Sequence, residues 1–236
     1  MRFRLAEWVS WTTQIFSTNI RTVRTLKQLR TYEVTLSKSG LGPVAGVDEA
    51  GRGACAGPIA IAACILPDHP ITDLAELTDS KKLTARQRQR LFPLVKNHAL
   101  SWAVVLVSAQ DIDAHGIQDA NVSGMRRAVA ALDTRPGFVL VDALRIPGFP
   151  VPSLPIIGGD SRARCIAAAS VLAKQTRDNL MVELDSRYPA YGFAAHKGYG
   201  TVSHMDAVRR HGACSEHRYS YSNVAAAHSE WEQSCV

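Results

Sequence analysis

Two adjacent carboxylates, Asp48 and Glu49, close a short apolar run that contains Val44, Ala45 and Val47. Glycines at 51, 53 and 57 follow, with Arg52 between the first two, in the stretch GVDEAGRGACAGP. The apolar run predicts a buried strand, and the glycines predict a sharp break after it. Charges at the end of a buried strand are costly unless they bind something, and a divalent cation is the natural candidate. The glycines allow a ligand backbone to come close, and Arg52 can meet a phosphate. Taken alone, the pattern also describes a solvated acidic loop with a glycine turn.

Further carboxylates turn the pair into a set. Asp142 closes a second apolar run, Phe138 to Asp142, and Asp160 follows Gly158 and Gly159 just ahead of a helical pattern. If the first and second strands are parallel neighbours, Asp48 and Asp142 share one edge of the sheet, where open α/β sheets place their sites. Asp160 has an alternative role as a helix N-cap. Crowded like charges raise one another's pKa unless a cation neutralises them. Hard oxygen ligands select Mg²⁺ or Mn²⁺, and two such ions suit in-line phosphodiester hydrolysis. One geometric difficulty stands: neighbours on a regular strand point to opposite faces, so Asp48 and Glu49 cannot both reach one ion unless the strand twists or ends there.

The elements that must hold these residues follow from the apolar periodicity. Strands are predicted at Ile59–Leu66, Ser101–Val107, Phe138–Asp142 and, weakly, Ser153–Ile157. Thr84 and Gln87 match a capping box, which predicts a helix from Ala85 to about Asn97. Further helices are expected over Gln118–Leu132, Ser161 to about Tyr188, and Val202–His211, the last with Thr201 as cap and Gly212 beyond its end. Three successive strands followed by alternating helices and strands predict a mixed α/β sheet with helices on its faces. After about residue 188 there is no strand signal, and a small helical appendage is expected.

Composition bounds the rest. The chain of 236 residues, 46% of them hydrophobic, is long enough for a substantial core. No apolar stretch is long enough to span a bilayer. Five cysteines (55, 64, 165, 214, 235) contain no C-x-x-C pair, which argues against zinc and disulfides and for a reducing cytosol. The net charge of +6 is uneven: residues 1–40 hold seven Lys/Arg against two acids, and the remainder twenty against nineteen. Residues 1–40 therefore read as a basic extension, whether short helix, disordered arm or organellar address. Residues 41–188 read as the main domain and 189–236 as the helical part. Lys81 to Arg90, with five basic residues, is a local patch for nucleic acid or simply a solvated helix face.

Six motifs in order and spacing then carry a resemblance. GVDEAGRG, DSKKL (79–83), VDA (141–143), GGDSRARCIAAASVLAKQTRD (158–178), YGFAAHKGYGT (191–201) and HRYS (217–220) resemble bacterial ribonuclease HII over roughly residues 40–224. The resemblance implies the ribonuclease H-like mixed sheet and an endonuclease with two activities. It would cut the RNA strand of RNA–DNA hybrids, and it would cut 5′ of single ribonucleotides in duplex DNA. It implies that Asp48, Glu49, Asp142 and Asp160 hold the metal ions. Gly51, Arg52 and Gly53 would sense the 2′-hydroxyl, the group that distinguishes RNA from DNA. Tyr199 would pack on the sugar of the following deoxynucleotide, and Lys81, Lys82 and Lys197 would contact phosphates. The expected setting is a cytoplasmic monomer with no membrane contact, acting in ribonucleotide excision repair. Gly158 stands where the family usually has Lys, Ala143 where it has Gly, and HRYSY where it has HRRSF. The first departure weakens one phosphate or metal-shell contact, and none removes a carboxylate. Rival readings are a catalytically weak hybrid-binding protein of the same fold and a 3′ exonuclease. Four intact carboxylates oppose the first, and the GRG turn gives no reason for end recognition.

Overall fold

A computed structural model describes residues 29–235. Five strands form one sheet: β1 (Val44–Ala50), β2 (Ile59–Ile65), β3 (Ser101–Val107), β4 (Phe138–Asp142) and β5 (Ser153–Ile156). Their order is β3-β2-β1-β4-β5. The first three run as an antiparallel meander, and β4 and β5 join parallel to β1. Val47 pairs with Val141 across the β1–β4 ladder, so Asp48 and Asp142 are the next residues along at the same edge. The condition set by the sequence reading is met.

Helices cover both faces. One face carries α3 (Ala109–His115) and α4 (Ile117–Ala130), after α2 (Ala85–His98) in chain order. There Ile61, Ala63 and Val141 pack with Ile112, Met125 and Val129. The other face carries α2 and the long α5 (Arg164–Arg187), with Ala62 and Cys64 against Leu91, Val95 and the Ala167–Ala169 run. The small residues let α5 lie very close to the central strand. A Cβ on Gly46 would sit 2.1 Å from the Cys165 carbonyl carbon, so only glycine fits there. The capping box on α2 forms as expected, with the Gln87 N–H donating to Thr84 Oγ1 and the Thr84 N–H donating to Gln87 Oε1.

The boundary expected at residue 40 lies inside the fold. Helix α1 (Thr31–Lys38) packs on the body, and its buried Glu33 accepts the Cys165 N–H at 2.8 Å. That N–H is one of the unpaired donors at the start of α5, whose own N-cap residue, Ala163, has no side chain able to cap. The Arg164 N–H donates to Leu29 O at 2.7 Å. The described part of the basic segment, residues 29–40, is thus structural, while residues 1–28 lie outside the described residues.

Past α5 come a short α6 (Phe193–His196), α7 (Val202–His211) and α8 (Ser222–Ser234). These share a core with Cys55, Ala56, Met181 and Leu184, so the helical part is fastened both to the turn after β1 and to the far half of α5. Among the described residues no helix is long and apolar enough to cross a membrane.

Candidate active site

Asp48, Asp142 and Asp160 each bring a carboxylate oxygen into one group, all within 4.8 Å of one another. Asp142 is fixed by the Gly159 N–H, which donates to its Oδ1 at 2.7 Å. Asp160 is not a helix cap. It sits in a 3₁₀ turn, Gly159–Ser161, and α5 begins four residues later. Leaving the cap role unfilled frees its carboxylate for the group.

Asp48 is 5% exposed. Burial pushes its pKa well up, and the charges of Glu49 and Asp142 push the same way. A hydrogen bond from Ser170 on α5 partly offsets them. Ser170 Oγ is itself 2.7 Å from Ser80 Oγ. Glu49 points to the other face, as strand alternation requires, and stands outside the trio. Burial raises its pKa, Arg52 opposes that, Asp142 adds to it, and Asn121 on α4 lies beside it. Its Oε2 is buried with no hydrogen-bond partner among the described residues. Asp160 is pushed up to about 6, first by burial and then by Asp79 and Asp142. Asp142 is therefore the charge common to all three of the others, reached by Asp48 from one face and by Glu49 from the opposite one.

Such a set fits a hard divalent cation. All donors are carboxylate oxygens, each of the three perturbed acids is held against its charged state, and one buried oxygen is unpaired. Lys81 stands at the rim. Partial burial works against its charge, but Asp48, Asp160, Asp79 and Asp142 together raise its pKa. Lys82 Nζ donates to Ser161 Oγ at 3.1 Å, beside Asp160.

The turn after β1 is gripped from behind. Gly51 has φ of 90°, and a Cβ there would lie 1.9 Å from Arg177 Nε. Gly53, by contrast, faces open space. Arg52 is exposed and donates to Gln118 Oε1 at 2.8 Å. The Cys55 N–H donates to Gly198 O at 2.8 Å, which ties this turn to the loop carrying Lys197 and Tyr199. Tyr199 is 41% exposed, with the Arg177 guanidinium 5.7 Å from its ring centre. Lys197 Nζ is turned back onto Ala194 O at 2.6 Å.

Several supporting residues were not assigned from the sequence. Arg177 and Arg218 are both fully buried and have no carboxylate partner among the described residues; backbone carbonyls and, for Arg218, the Tyr221 hydroxyl satisfy them. Arg177 donates to Ala56 O, Pro58 O and Lys197 O, and Arg218 to Gly51 O, Arg52 O and Gly57 O. Asp79, within DSKKL, lies against Asp160. Both arginines fall inside the motifs quoted above, but the partners they hold are more than a hundred residues away along the chain, except for Lys197 and Tyr221. Ala143 adopts φ of 53°, in the left-handed region where glycine would carry no penalty.

A profile of the family described as Ribonuclease HII matches residues 45–224. A Ribonuclease HII of Corynebacterium efficiens is 71% identical over 210 residues, covering 89% of this chain and 91% of its own length. One from Rhodococcus erythropolis is 60% identical over 211 residues, covering 89% and 93%. Among solved structures, ribonuclease H2 from Pyrococcus horikoshii matches with TM-score 0.68 at 24% identity, covering 80% of this chain and 99% of that one. Bst-RNase HIII in complex with Mn²⁺ matches at 0.60 and 20%, covering 84% and 73%.

Proposed function

The chain belongs to the bacterial ribonuclease HII family of metal-dependent endonucleases that hydrolyse RNA in RNA–DNA hybrids, and we propose that it also incises duplex DNA 5′ of a single embedded ribonucleotide. The observation that carries this is the junction of two features: the carboxylate group at the β1–β4 edge, and the GRG turn hydrogen-bonded to the Tyr199 loop. The first suits hydrolysis, and the second ties a glycine turn to an exposed aromatic, which supports recognition of one nucleotide step.

Asp48, Glu49, Asp142 and Asp160 are the residues proposed to hold two divalent cations, Mg²⁺ or Mn²⁺; the Mn²⁺ complex of the structurally similar Bst-RNase HIII supports that choice. Bound there, the ions supply Lewis-acid activation of water and neutralise charge on the leaving 3′-oxygen, so the products carry 5′-phosphate and 3′-hydroxyl ends. The protein's own contribution is placement. The backbone of Gly51, Arg52 and Gly53 reads the 2′-hydroxyl, and the glycines allow the sugar to approach. Tyr199 packs on the deoxyribose of the nucleotide 3′ of the ribonucleotide. Lys81 and Lys82 meet phosphates near the site, and Lys197 does so after releasing Ala194 O. The same reading places a monomer in the cytoplasm, in removal of ribonucleotides from DNA. The five cysteines of the chain are free, as a reducing compartment would keep them.

The test is end-mapping on a duplex with one ribonucleotide and Mg²⁺. A single internal incision 5′ of the ribonucleotide is expected. Binding without cleavage, or a ladder starting from an end, would overturn the proposal.

A further inference from the structure

Three histidine rings sit behind the Tyr199 loop, away from the carboxylates, and none has a part in the chemistry above. His204 and His217 are fully buried, with their Nε2 atoms 3.0 Å apart. Two ring nitrogens so close need one proton between them, and the neighbouring backbone decides whose it is. At one end, the Cys214 N–H, which can only donate, points at His217 Nδ1 at 3.0 Å. That leaves the His217 proton on Nε2. At the other end, His204 Nδ1 lies 2.9 Å from Tyr199 O, which can only accept. That puts the His204 proton on Nδ1 and leaves its Nε2 as a lone pair. Both ends give the same answer independently. The order is Cys214 N–H to His217, His217 Nε2–H to His204, and His204 Nδ1–H to Tyr199 O. His217 Nδ1 also lies 3.2 Å from Cys214 Sγ, a thiol able to donate to it, and 3.3 Å from Cys214 O, which already accepts the shorter His217 backbone N–H bond at 2.9 Å.

The third ring extends the arrangement. His196 stacks on His204 with centroids 4.3 Å apart. Its Nδ1 accepts the Gly198 N–H at 3.2 Å and its Nε2–H donates to Tyr191 O at 2.8 Å. The loop from Tyr191 to Thr201 is thus pinned at Tyr191, Gly198 and Tyr199 by imidazoles of fixed tautomer. A second proton on either member of the central pair would set two N–H groups against each other. Burial pushes both rings down to about 4, which keeps them neutral near pH 7.

We propose that His204 and His217 are positioning residues for recognition of the ribonucleotide–deoxyribonucleotide step. Their neutral relay fixes the Tyr199 carbonyl, and with it the direction of the ring that meets the sugar. This rests on the junction role proposed for Tyr199. Neither histidine touches substrate, and both act through Tyr199. A structural histidine pair serving only the fold would slow cleavage of all substrates alike or leave it unchanged.

The experiment has two readouts on the full chain. The first is long-range ¹H–¹⁵N correlation on ¹⁵N-histidine protein at neutral pH. His204 is expected as the Nδ1–H tautomer and His217 as the Nε2–H tautomer. The opposite assignment for either ring, or a protonated ring, overturns the relay. The second compares kcat/KM on a lone-ribonucleotide duplex and on a long hybrid. His204→Ala loses one buried hydrogen bond to Tyr199 O, expected to lower junction cleavage roughly tenfold and hybrid cleavage by about twofold or less. His204→Asn keeps an N–H close to the Nδ1 position and is expected to recover most of the junction loss. In a Tyr199→Ala background, His204→Ala should leave the substrate ratio unchanged. Equal losses on both substrates, no recovery by Asn, or an additive effect in that background overturns the proposal. A Tyr199→Ala enzyme with a wild-type substrate ratio overturns the reading of Tyr199 itself, and that variant alone reveals it.

Discussion

Arg218 is the residue on which the GRG turn most depends, and its replacement by Met has a calculable cost. The guanidinium is fully buried and donates to Gly51 O at 2.8 Å, Gly57 O at 2.9 and 3.1 Å, Arg52 O at 2.9 Å and the Tyr221 hydroxyl at 3.0 Å. Met fills much of the same space but carries no donor. Two of the three carbonyls keep a second partner: the Ala54 N–H donates to Gly51 O at 3.2 Å, and the Tyr221 hydroxyl to Arg52 O at 2.7 Å. Gly57 O loses both its Arg218 bonds. An unpaired buried acceptor costs about 1–3 kcal/mol, and a charge-assisted bond contributes about 1.5–3 kcal/mol net. The saved desolvation of a buried cation, visible in the lowered pKa of Arg218, offsets part of this. The net expectation is about 3 kcal/mol, or about 6–12 °C in Tm for a chain of this size. Arg218→Lys retains the charge but not the planar fork, and should fall between the two. Thermal unfolding followed by circular dichroism measures the stability. Cleavage of the folded variant at a lone ribonucleotide, compared with a long hybrid, measures whether the turn is misplaced. A Tm within about 2 °C of wild type with unchanged cleavage would refute the claim that backbone carbonyls of the turn are held by this side chain.

Tyr199→Ala should lower kcat/KM about tenfold at a lone ribonucleotide and much less on a continuous hybrid, because only a junction presents a deoxyribose 3′ of the ribonucleotide; equal losses would make it a general binding residue. Glu33→Ala removes the acceptor for the Cys165 N–H at the start of α5 and should destabilise the fold by about 1–2 kcal/mol, read by urea unfolding, whereas an unchanged midpoint would detach α1 from the core. In metal-free protein, Asp160 has a folded pKa of about 6 against an ordinary 3.8, so its neutral form is favoured by folding. The sign follows: its contribution is fully present below about pH 4 and is lost as pH rises through 6. Mg²⁺ should therefore raise Tm at pH 7.5 and do little at pH 4.5, and a Mg²⁺ shift of equal size at both would place the ion elsewhere.

Much of the site was legible because its main carboxylates end short apolar runs. Asp48 and Asp142 each close such a run, and parallel pairing of β1 with β4 puts them side by side. Strand β3 and helix α7 had the expected limits, since a continuous apolar run and the Thr201 cap mark them plainly. What was missed depends on partners distant in sequence. Glu33 reads as an ordinary charge in a basic segment until it meets Cys165. Arg177 and Arg218 read as basic surface residues until a core closes over them. Asp160 sits where a cap residue would, but the 3₁₀ turn delays α5 and turns the acid toward Asp142. Helix α3 is only seven residues long and closes on Gly116, too short for a periodic signal. Helix α8, with its mixed pattern, left no clear stripe either.

The central claim is that the β1–β4 edge holds divalent cations through charge rather than shape. Asp142→Asn tests it most directly, since the amide preserves size while removing the charge shared by the other three carboxylates. Cleavage of the single-ribonucleotide duplex is measured at saturating Mg²⁺, with hybrid affinity followed by fluorescence anisotropy on the same preparation. Loss of cleavage to background with affinity within a few-fold of wild type is the predicted result. Turnover close to wild type would contradict the account, because Asp142 would then not be a ligand.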